Sequence, residues 1–298
     1  MSRRGLVLFA AMCVIWGIPY LLIKVAVDDL SPALMVLGRT AIATVLLLPI
    51  AAWRRELRPV LAAWPALLAF AGIEMALPWV LLGAAETRIS SSLTGLLIAA
   101  VPLVATVLAL GTSQRERLDL QRGIGLLLGV VGVAAIVGID VGGTSLVAVA
   151  QVGLVAICYA VGPLILQRWL SDLPALGVIA LSLAVTTVAY VPIVLLAGPA
   201  GELTAPAVGA VVALGVVCTA VAFLLFFALI AEIGPVRATV ITYVNPAVAA
   251  VLGVTILNER FTLAMGVGFA LVLAGSVLAT RPGRPAEPTR RPALDAAP

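Results

Sequence analysis

The sequence predicts an all-α integral membrane protein whose ten transmembrane helices form two inverted copies of a five-helix unit. Ten apolar runs of about 20 residues follow one another, and a helix of that length crosses about 30 Å of hydrocarbon. The basic residues between the runs fall almost entirely in alternate gaps, as expected for loops on one side of a membrane. In addition, two segments 143 residues apart resemble each other.

The ten runs predict helices rather than strands, because an open sheet would leave unpaired backbone amides facing lipid. Prolines inside the runs, such as Pro78, Pro163 and Pro192, are tolerated where neighbouring helices satisfy the freed carbonyl groups, and they predict bends. The predicted spans are 6–27, 32–53, 65–85, 91–111, 121–139, 145–166, 175–197, 207–230, 238–257 and 262–280.

The composition excludes several classes of function. Of the 298 residues, 63% are hydrophobic and 11% are charged, and the mean hydropathy is +1.21. The net charge of +4 does not indicate nucleic-acid binding, because the basic residues lie in short loops and a tail. The chain has no histidine, and its three cysteines lie inside apolar runs, which argues against disulfides and metal sites. It also lacks a P-loop and a nucleophile–base set, so we expect neither a cofactor nor an enzyme.

The basic residues predict the orientation of the chain. With the N-terminus in the cytoplasm, the gaps on that side hold fourteen basic residues, whereas the opposite gaps hold only Arg88 and Arg260. Such an excess in short loops marks the cytoplasmic side. We therefore expect a multi-pass protein of the cytoplasmic (inner) membrane, in contact with the lipid bilayer and with both termini inside. The fourteen residues are Arg3, Arg4, Arg54, Arg55, Arg58, Arg115, Arg117, Arg122, Arg168, Arg237, Arg281, Arg284, Arg290 and Arg291.

The two halves of the chain resemble each other at an offset near 143 residues. Residues 116–125 match residues 259–268 through a shared Glu-Arg pair and a Gly-x-Gly spacing, and Gly132 then matches Gly275. Each half holds five crossings, an odd number, so the second copy must run through the membrane in the reverse direction. Inverted repeats of this kind are a common architecture for alternating access, with a substrate cavity near the midplane.

The repeat predicts the division of the chain. The first five-helix unit covers 5–139 and the second covers 145–280, followed by a cytoplasmic tail at 281–298. That tail is rich in Pro, Arg and Ala and is expected to be disordered. Pro102 and Pro246 occupy equivalent positions in the two halves, apart from a shift of one residue in the alignment. We expect them to shape helices 4 and 9, and they are candidates for gating.

The beginning and the end of each half follow a known pattern. The segment Trp16–Tyr20 (Trp-Gly-Ile-Pro-Tyr) is followed by Lys24, Ser31-Pro32 and Arg39, and both halves end in a proline, a helix, Glu-Arg and Gly-x-Gly. This combination resembles EamA-type transporters of the drug/metabolite transporter superfamily over roughly residues 5–280. The resemblance implies a ten-helix, inverted-repeat carrier, in many cases an exporter of amino acids or other metabolites.

Two charged residues fall deep within the predicted helices. Glu74 lies roughly 14 Å into helix 3, close to the midplane, where desolvation disfavours a charged carboxyl, so it is a candidate for proton coupling or cation sensing. Arg39 lies roughly 10 Å below the outer surface, and its planar guanidinium suits a carboxylate. Two interpretations stay open: Arg39 pairs with Glu74, or it binds the carboxylate of a substrate.

Lys24 is a third charged candidate, at the outer end of helix 1. Its position about 27 Å along the helix allows the ammonium group to reach the interface. The alternative is a gating contact with Asp28, Asp29 or Glu86, the last of which is otherwise the expected partner of Arg88.

Polar and aromatic side chains complete the predicted cavity. Each single aromatic residue is more often part of the lipid belt or of packing than a ligand contact. Asn245, beside Pro246, is suited to hydrogen-bond a substrate or a carbonyl freed by the proline. In the second half, Tyr159-Ala160 stands where the first half has Trp16-Gly17. A role assigned to Trp16 is therefore not carried over to Tyr159. The remaining candidates for substrate binding are Tyr20, Trp79 and Tyr243.

These observations favour a secondary carrier. Two five-helix halves would move about a central cavity and export a small metabolite, such as an amino acid or a related amphiphile, by alternating access. A substrate gradient or a proton gradient would drive it. The alternative is a lipid-handling or structural membrane protein without solute turnover, which would expose its polar midplane groups to lipid.

Overall fold

A computed structural model describes residues 2–112, 119–138, 145–197 and 201–280, and nearly all of them are helical. Within these ranges nine helices are long and apolar enough to cross a membrane, and a tenth apolar helix is shorter. The predicted fold class is confirmed, while the tail at 281–298 and residues 116–118 of the first repeat motif lie outside the described residues. In chain order the helices are α1 (Arg3–Val27), α2 (Pro32–Trp53), α3 (Trp64–Glu86), α4 (Ser91–Gly111), α5 (Leu120–Gly138), α6 (Leu146–Leu170), α7 (Ala175–Ala197), α8 (Ala205–Ile233), α9 (Ile241–Ile256) and α10 (Leu263–Thr280).

Hydroxyl side chains define the first residue of several helices. Ser2, Ser31, Ser90, Ser145 and Thr204 each precede a helix and accept a backbone N–H from its first turn. Such caps satisfy one of the N–H groups that a helix start leaves unpaired. The starts of α1, α2, α4, α6 and α8 therefore follow from the local sequence.

Two of the long helices are interrupted near prolines. α1 consists of Arg3–Ile15 and Pro19–Val27, and the turn between them lets the Gly17 N–H bond to the Val14 carbonyl at 2.9 Å. α4 is interrupted at residues 99–100, immediately before the segment that contains Pro102. Proline removes a helical hydrogen bond and disfavours helical geometry in the residue before it.

The helix predicted at 238–257 starts later than expected. α8 ends at Ile233, and Gly234 follows it with a φ of +82° that suits glycine, before the four-residue helix Pro235–Ala238. The chain turns at residues 239–240 before α9 begins at Ile241. A second short helix, Leu57–Ala62, connects α2 to α3.

Three helices contain a π-helical turn, in which backbone hydrogen bonds join residues five apart instead of four. These turns are Ala71–Ala76 in α3, Leu166–Leu170 in α6 and Val216–Val221 in α8. In α8 the Thr219 hydroxyl donates to the carbonyl of Leu214, five residues earlier, at 2.8 Å. Because π-turns are rare and often mark functional sites, they direct attention to the middle of α3 and α8.

The helices pair across the two halves in a two-fold pattern. Extensive contacts join α2 with α7, α4 with α9, α5 with α10, α1 with α8, and α3 with α6. Each helix of the first half has its equivalent five helices later in the chain. When every helix is replaced by its equivalent, the first three pairs stay the same, and the α1–α8 and α3–α6 pairs change places. Such a set of contacts is what a two-fold axis between inverted repeats produces.

The α5–α10 contact shows the same symmetry at the level of single residues. A Cβ on Gly132 would lie 2.6 Å from the Gly268 carbonyl oxygen, and one on Gly275 would lie 2.5 Å from that of Gly125. At an offset of 143, Gly125 corresponds to Gly268 and Gly132 to Gly275. Each contact is therefore the image of the other, and the small side chains allow the two backbones to approach closely.

Candidate functional site

Arg39 lies in the interior of the bundle and joins helices from both halves. Its side chain is 6% exposed, and its Nε donates to the Thr219 hydroxyl at 2.8 Å. Its guanidinium carbon lies 3.7 Å from the centroid of the Trp79 ring, an arrangement that adds a cation–π attraction. Arg39 thus links α2 to α3 and to the π-turn of α8.

Glu74 lies in the π-turn of α3 and packs directly against α6. A Cβ on Gly162 would lie 1.8 Å from Glu74 Oε2, so this glycine makes the space that the carboxyl occupies. Oε2 is buried and has no hydrogen-bond partner among the described residues. The ion pair with Arg39 that the sequence left open is not formed; in the described part of the chain the ion pair is Lys24–Asp28. An unpartnered buried carboxyl oxygen is unfavourable for stability and therefore points to a functional role.

Two tyrosines complete this cluster. Tyr159 on α6 lies beside Trp79 and within electrostatic range of Glu74 and Arg39. Tyr20 on α1 is 8% exposed and lies near Tyr159 and Arg39. Five of the predicted site residues therefore come together. We call Tyr20, Arg39, Glu74, Trp79 and Tyr159 the polar cluster.

Two other predicted site residues lie elsewhere. Trp16 packs against Phe223 and Phe226 of α8, with ring centroids 5.9 and 4.7 Å away. The Tyr243 hydroxyl lies 3.3 Å from that of Thr280, in an exposed position. Neither side chain is part of the polar cluster.

Asn245 is buried where α9 packs against the interruption in α1. In the amide orientation that suits its neighbours, its nitrogen donates to the carbonyls of Cys13 at 3.0 Å and Ile241 at 2.9 Å. The Cys13 carbonyl is free to accept because the Gly17 N–H bonds to Val14 instead. Asn245 thus satisfies a carbonyl that a helix interruption exposes, and that interruption belongs to α1 rather than to Pro246.

The polar cluster is closed in this conformation. Tyr20, Arg39 and Trp79 are each less than one-tenth exposed, so the cluster has little access to the surface. A groove of about 280 Å³ lies elsewhere, on the outside of the α5–α10 pair, and is lined by Leu120, Gln121, Ile124 and Leu278. The groove contributes nothing to the site.

Hydrogen bonds between the halves close the predicted outer end of the bundle. The Glu259 carboxylate, in the α9–α10 connection, accepts from the backbone N–H groups of Ser91 and Ser92, both at 2.8 Å. It also accepts from their hydroxyls, at 2.9 and 2.5 Å. Asp29, after α1, accepts from the hydroxyl of Thr204 at the start of α8. We call the contact of Glu259 with Ser91 and Ser92 the Glu259 clamp.

The opposite end is closed by different contacts. The Ser2 hydroxyl donates to the Glu232 carboxylate at the end of α8. The Gly177 N–H, at the start of α7, donates to Glu56 at 3.2 Å. The polar cluster therefore lies between two closed ends, each held by carboxylates.

The gating candidate Lys24 and Glu86, one of its predicted contacts, lie at the predicted outer end. Lys24 forms an ion pair with Asp28 at 2.7 Å, one of the contacts that the sequence allowed. Glu86 is fully buried, and neither of its oxygens has a partner among the described residues. The expected pairing of Glu86 with Arg88 is not formed, since Arg88 is exposed.

The site does not follow the two-fold symmetry of the backbone. At the offset of 143, Arg39 corresponds to Ser182 on α7, and the Ser182 hydroxyl is buried without a partner among the described residues. Thr219 corresponds to Ala76, whose carbonyl instead accepts from the Tyr190 hydroxyl at 2.8 Å. The buried Arg39 guanidinium therefore has no counterpart at the equivalent position of the second half.

Sequence reasoning missed three residues that position the site. Thr219 and Gly162 gave no signal, because threonine and glycine are ordinary residues in membrane helices. Glu259 was used only as a marker of the repeat, although consecutive serines at the start of a span indicate a helix N-terminus that attracts a carboxylate.

Comparisons with known proteins agree with the fold. A model of the EamA-like transporter family matches residues 3–138 and again residues 147–281. An uncharacterized transporter, YvbV, of Bacillus subtilis (strain 168) is 25% identical over 287 residues, which cover 93% of this chain and 92% of that protein. One solved crystal structure of a protein has a TM-score of 0.66 at 20% identity, covering 94% of this chain and 97% of the other.

Proposed function

Because the chain belongs to the EamA-like transporter family, we propose that this membrane transporter is a secondary carrier that exports a small metabolite by alternating access. The substrate is an amino acid or a related amphiphile. The observation that carries this proposal is the polar cluster, where the buried guanidinium of Arg39 and the unpartnered carboxyl oxygen of Glu74 both lie within electrostatic range of Tyr159.

The chemistry of the polar cluster suits a zwitterion. The guanidinium of Arg39 is a planar donor suited to a carboxylate, and Oε2 of Glu74 is an acceptor suited to an ammonium group. Tyr20, Trp79 and Tyr159 supply apolar ring surfaces with polar edges around them. A substrate that carries both charges on a small apolar body would satisfy all of these groups together.

The same residues connect substrate binding to movement of the halves. Arg39 in the first half bonds to Thr219 in the second, and Glu74 in the first packs against Gly162 in the second. A relative displacement of the halves therefore changes the surroundings of both charged groups. A ligand that binds them more tightly in one arrangement shifts the balance between arrangements.

Protons are the proposed coupling ion. An ammonium group and a proton compete for the Glu74 carboxyl, so loading of one favours release of the other. This competition is the property that exchange of a substrate against protons needs.

The lipid-handling alternative is less consistent with the burial of these groups. A protein of that type exposes its polar midplane groups sideways to lipid, whereas Arg39 and Trp79 are 6% and 5% exposed. Intramembrane charges that face the protein interior are typical of a substrate or ion pathway.

Reconstituted vesicles test the proposal. Amino acids are first screened for stabilisation of the purified protein, and those that stabilise it are assayed by counterflow. We expect Arg39→Lys to lower the apparent affinity by about tenfold or more, because a charge-assisted bond is worth about 1.5–3 kcal/mol. Glu74→Gln should alter the pH profile of transport, because the competition between substrate and proton at this carboxyl is lost.

Exposed residues of the same type provide the controls. Arg168→Lys and Glu202→Gln change the same chemistry at exposed positions and should leave counterflow at the wild-type rate. Wild-type counterflow in Arg39→Lys would contradict the substrate site, and an unchanged pH profile in Glu74→Gln would remove Glu74 from coupling.

A further inference from the structure

We propose that Glu86 is a proton-binding site that controls the opening of the predicted outer end, an inference that rests on the proposed carrier function. A proton on its carboxyl holds that end closed, and its loss opens the Glu259 clamp. This site is separate from the polar cluster and lies at the end of α3.

The first support is the burial of Glu86. Its side chain is 0% exposed, and both carboxyl oxygens lack a hydrogen-bond partner among the described residues. Buried carboxylates are normally paired or hydrogen-bonded, because a bare buried charge is strongly unfavourable. The closed conformation therefore accommodates the neutral, protonated carboxyl.

The second support is the set of groups that face Glu86. On α1 these are Tyr20, Lys24 and Asp28, and from the α9–α10 connection it is Glu259. The backbone N–H of Lys24 also faces the carboxyl, but outside hydrogen-bond geometry. The one cation among them, Lys24, is already bound to Asp28 at 2.7 Å. None of these groups therefore gives Glu86 a free cation, and the anion that acts on it most strongly is Glu259 of the clamp.

The third support is the construction of the Glu259 clamp. One carboxylate accepts four hydrogen bonds from the first turn of α4, so a residue of the second half holds a helix of the first. A Cβ on Gly253 would lie 2.2 Å from the Ser92 hydroxyl and 2.3 Å from Glu259 Oε2, so this glycine makes room for the contact. Asn258, with φ of +56°, turns the chain so that Glu259 faces Ser92.

These observations give the direction of the switch. When Glu86 loses its proton, a buried anion arises within electrostatic range of the Glu259 carboxylate, and the two repel each other. Separation of α4 from the α9–α10 connection admits water and relieves both the repulsion and the desolvation. Acidic solution on the outer side therefore closes this end, and alkaline solution opens it.

Spin-label distances test this inference without any substrate. Labels are attached to cysteines at Thr87 and Leu263, both exposed and on opposite sides of the Glu259 clamp, after the three buried native cysteines are replaced by alanine. Distances are measured in lipid nanodiscs between about pH 5 and about pH 9, the range in which functional carboxyls titrate. While the state with the longer distance is the minor one, its population should rise about tenfold per pH unit. This dependence is expected when opening releases one proton.

Three variants complete the experiment. Glu86→Gln, which mimics the protonated side chain, should keep the short distance at every pH. Ser92→Ala weakens the Glu259 clamp and should show the longer distance even in acid. Glu202→Gln, an exposed carboxyl near the same end, should behave as the wild type.

The outcomes separate this inference from the proposed function. A wild-type distance that does not change with pH, or a pH response that survives in Glu86→Gln, would overturn the inference, as would a short distance throughout in Ser92→Ala. Failure to find any transported substrate would instead overturn the carrier function and leave the distance result as it stands.

Discussion

The hydroxyls of Thr44 and Thr187 lie 3.3 Å apart, and the two residues are separated by 143 positions, the offset that relates the two halves. Thr44 lies on α2 and Thr187 on the equivalent helix α7. In a symmetric arrangement a residue contacts its own equivalent only beside the two-fold axis. The pseudo-two-fold axis of the molecule therefore passes between these two hydroxyls.

A first prediction concerns the glycine contact between α5 and α10. Gly132→Ala places a methyl group 2.6 Å from the Gly268 carbonyl oxygen, so the helices must separate. Overpacking of this kind is expected to destabilise the protein by about 1–3 kcal/mol. The melting midpoint of the purified protein measures the effect.

Gly209 supplies the control for this prediction. Gly209→Ala, within α8, meets no atom within 4 Å and should leave the midpoint unchanged or raise it, because alanine favours helix. Equal midpoints for the two variants would show that the α5–α10 backbones are not in close contact.

A second prediction concerns the stacking of Arg39 on Trp79. Trp79→Leu preserves an apolar side chain but removes the ring that lies 3.7 Å from the guanidinium. Loss of a desolvated cation–π contact of about 2 kcal/mol should weaken substrate binding by more than tenfold. Trp169→Leu, which alters an exposed tryptophan, should not change the binding measured by calorimetry or thermal shift.

A third prediction concerns the space that Gly162 leaves for Glu74. Gly162→Ala should destabilise the wild type, because the new methyl group would lie 1.8 Å from Glu74 Oε2. The same change in a Glu74→Ala background should have a smaller effect, since the carboxyl is absent and only the Cβ of residue 74, 3.2 Å away, remains close. Thermal midpoints of the four proteins give the coupling between the two positions.

Gly153 tests whether the Gly162 effect is specific. Gly153→Ala, also on α6, faces open space and should not depend on Glu74. Additive effects of Gly162→Ala and Glu74→Ala would disprove the contact.

A fourth prediction concerns Asn245. Asn245→Asp removes the amide donor that serves the Cys13 and Ile241 carbonyls and places a carboxyl there. We expect a loss of about 1–3 kcal/mol in stability, the usual penalty for a buried polar group left without its partner. Tyr243→Phe removes only an exposed contact of 3.3 Å to Thr280 and should leave the midpoint unchanged.

A fifth prediction concerns orientation. Reporter fusions at both ends of the chain should report the cytoplasm, and cysteines introduced at Arg88 and Arg260 should react with a membrane-impermeant reagent from outside. Chain ends on different faces would contradict the fourteen-to-two distribution of basic residues as a guide to topology.

Much of the fold was predictable because the membrane imposes it. The predicted spans 32–53 and 175–197 coincide with α2 and α7, since a charged or polar gap limits each apolar run. The interruption of α1 at residues 16–18 was not predicted. Hydropathy is the same on both sides of it, although Pro19 follows it directly, and at the interruption Gly17 lies close to Val248 of α9.

The candidate site was predictable only in part. Arg39 and Glu74 were found because a charge within the membrane is expensive wherever it lies. Their partners were not, because the choice of Thr219, Trp79 and Gly162 depends on how the two halves pack. For the same reason the sequence paired Glu86 with nearby Arg88, whereas the fold buries Glu86 beside Glu259 instead.

In the second half, Ser182 occupies the position that is equivalent to Arg39 across the pseudo-two-fold axis. This difference has an energetic consequence. If both halves carried identical residues, exchanging their conformations would turn one end state into the other with no difference in free energy. Here that exchange surrounds the single guanidinium with different neighbours, so the resting populations of the two end states are unequal. The difference in free energy between the two end states comes from side chains that the two halves do not have in common. A substitution at Arg39 or Ser182 would therefore change the populations of these states.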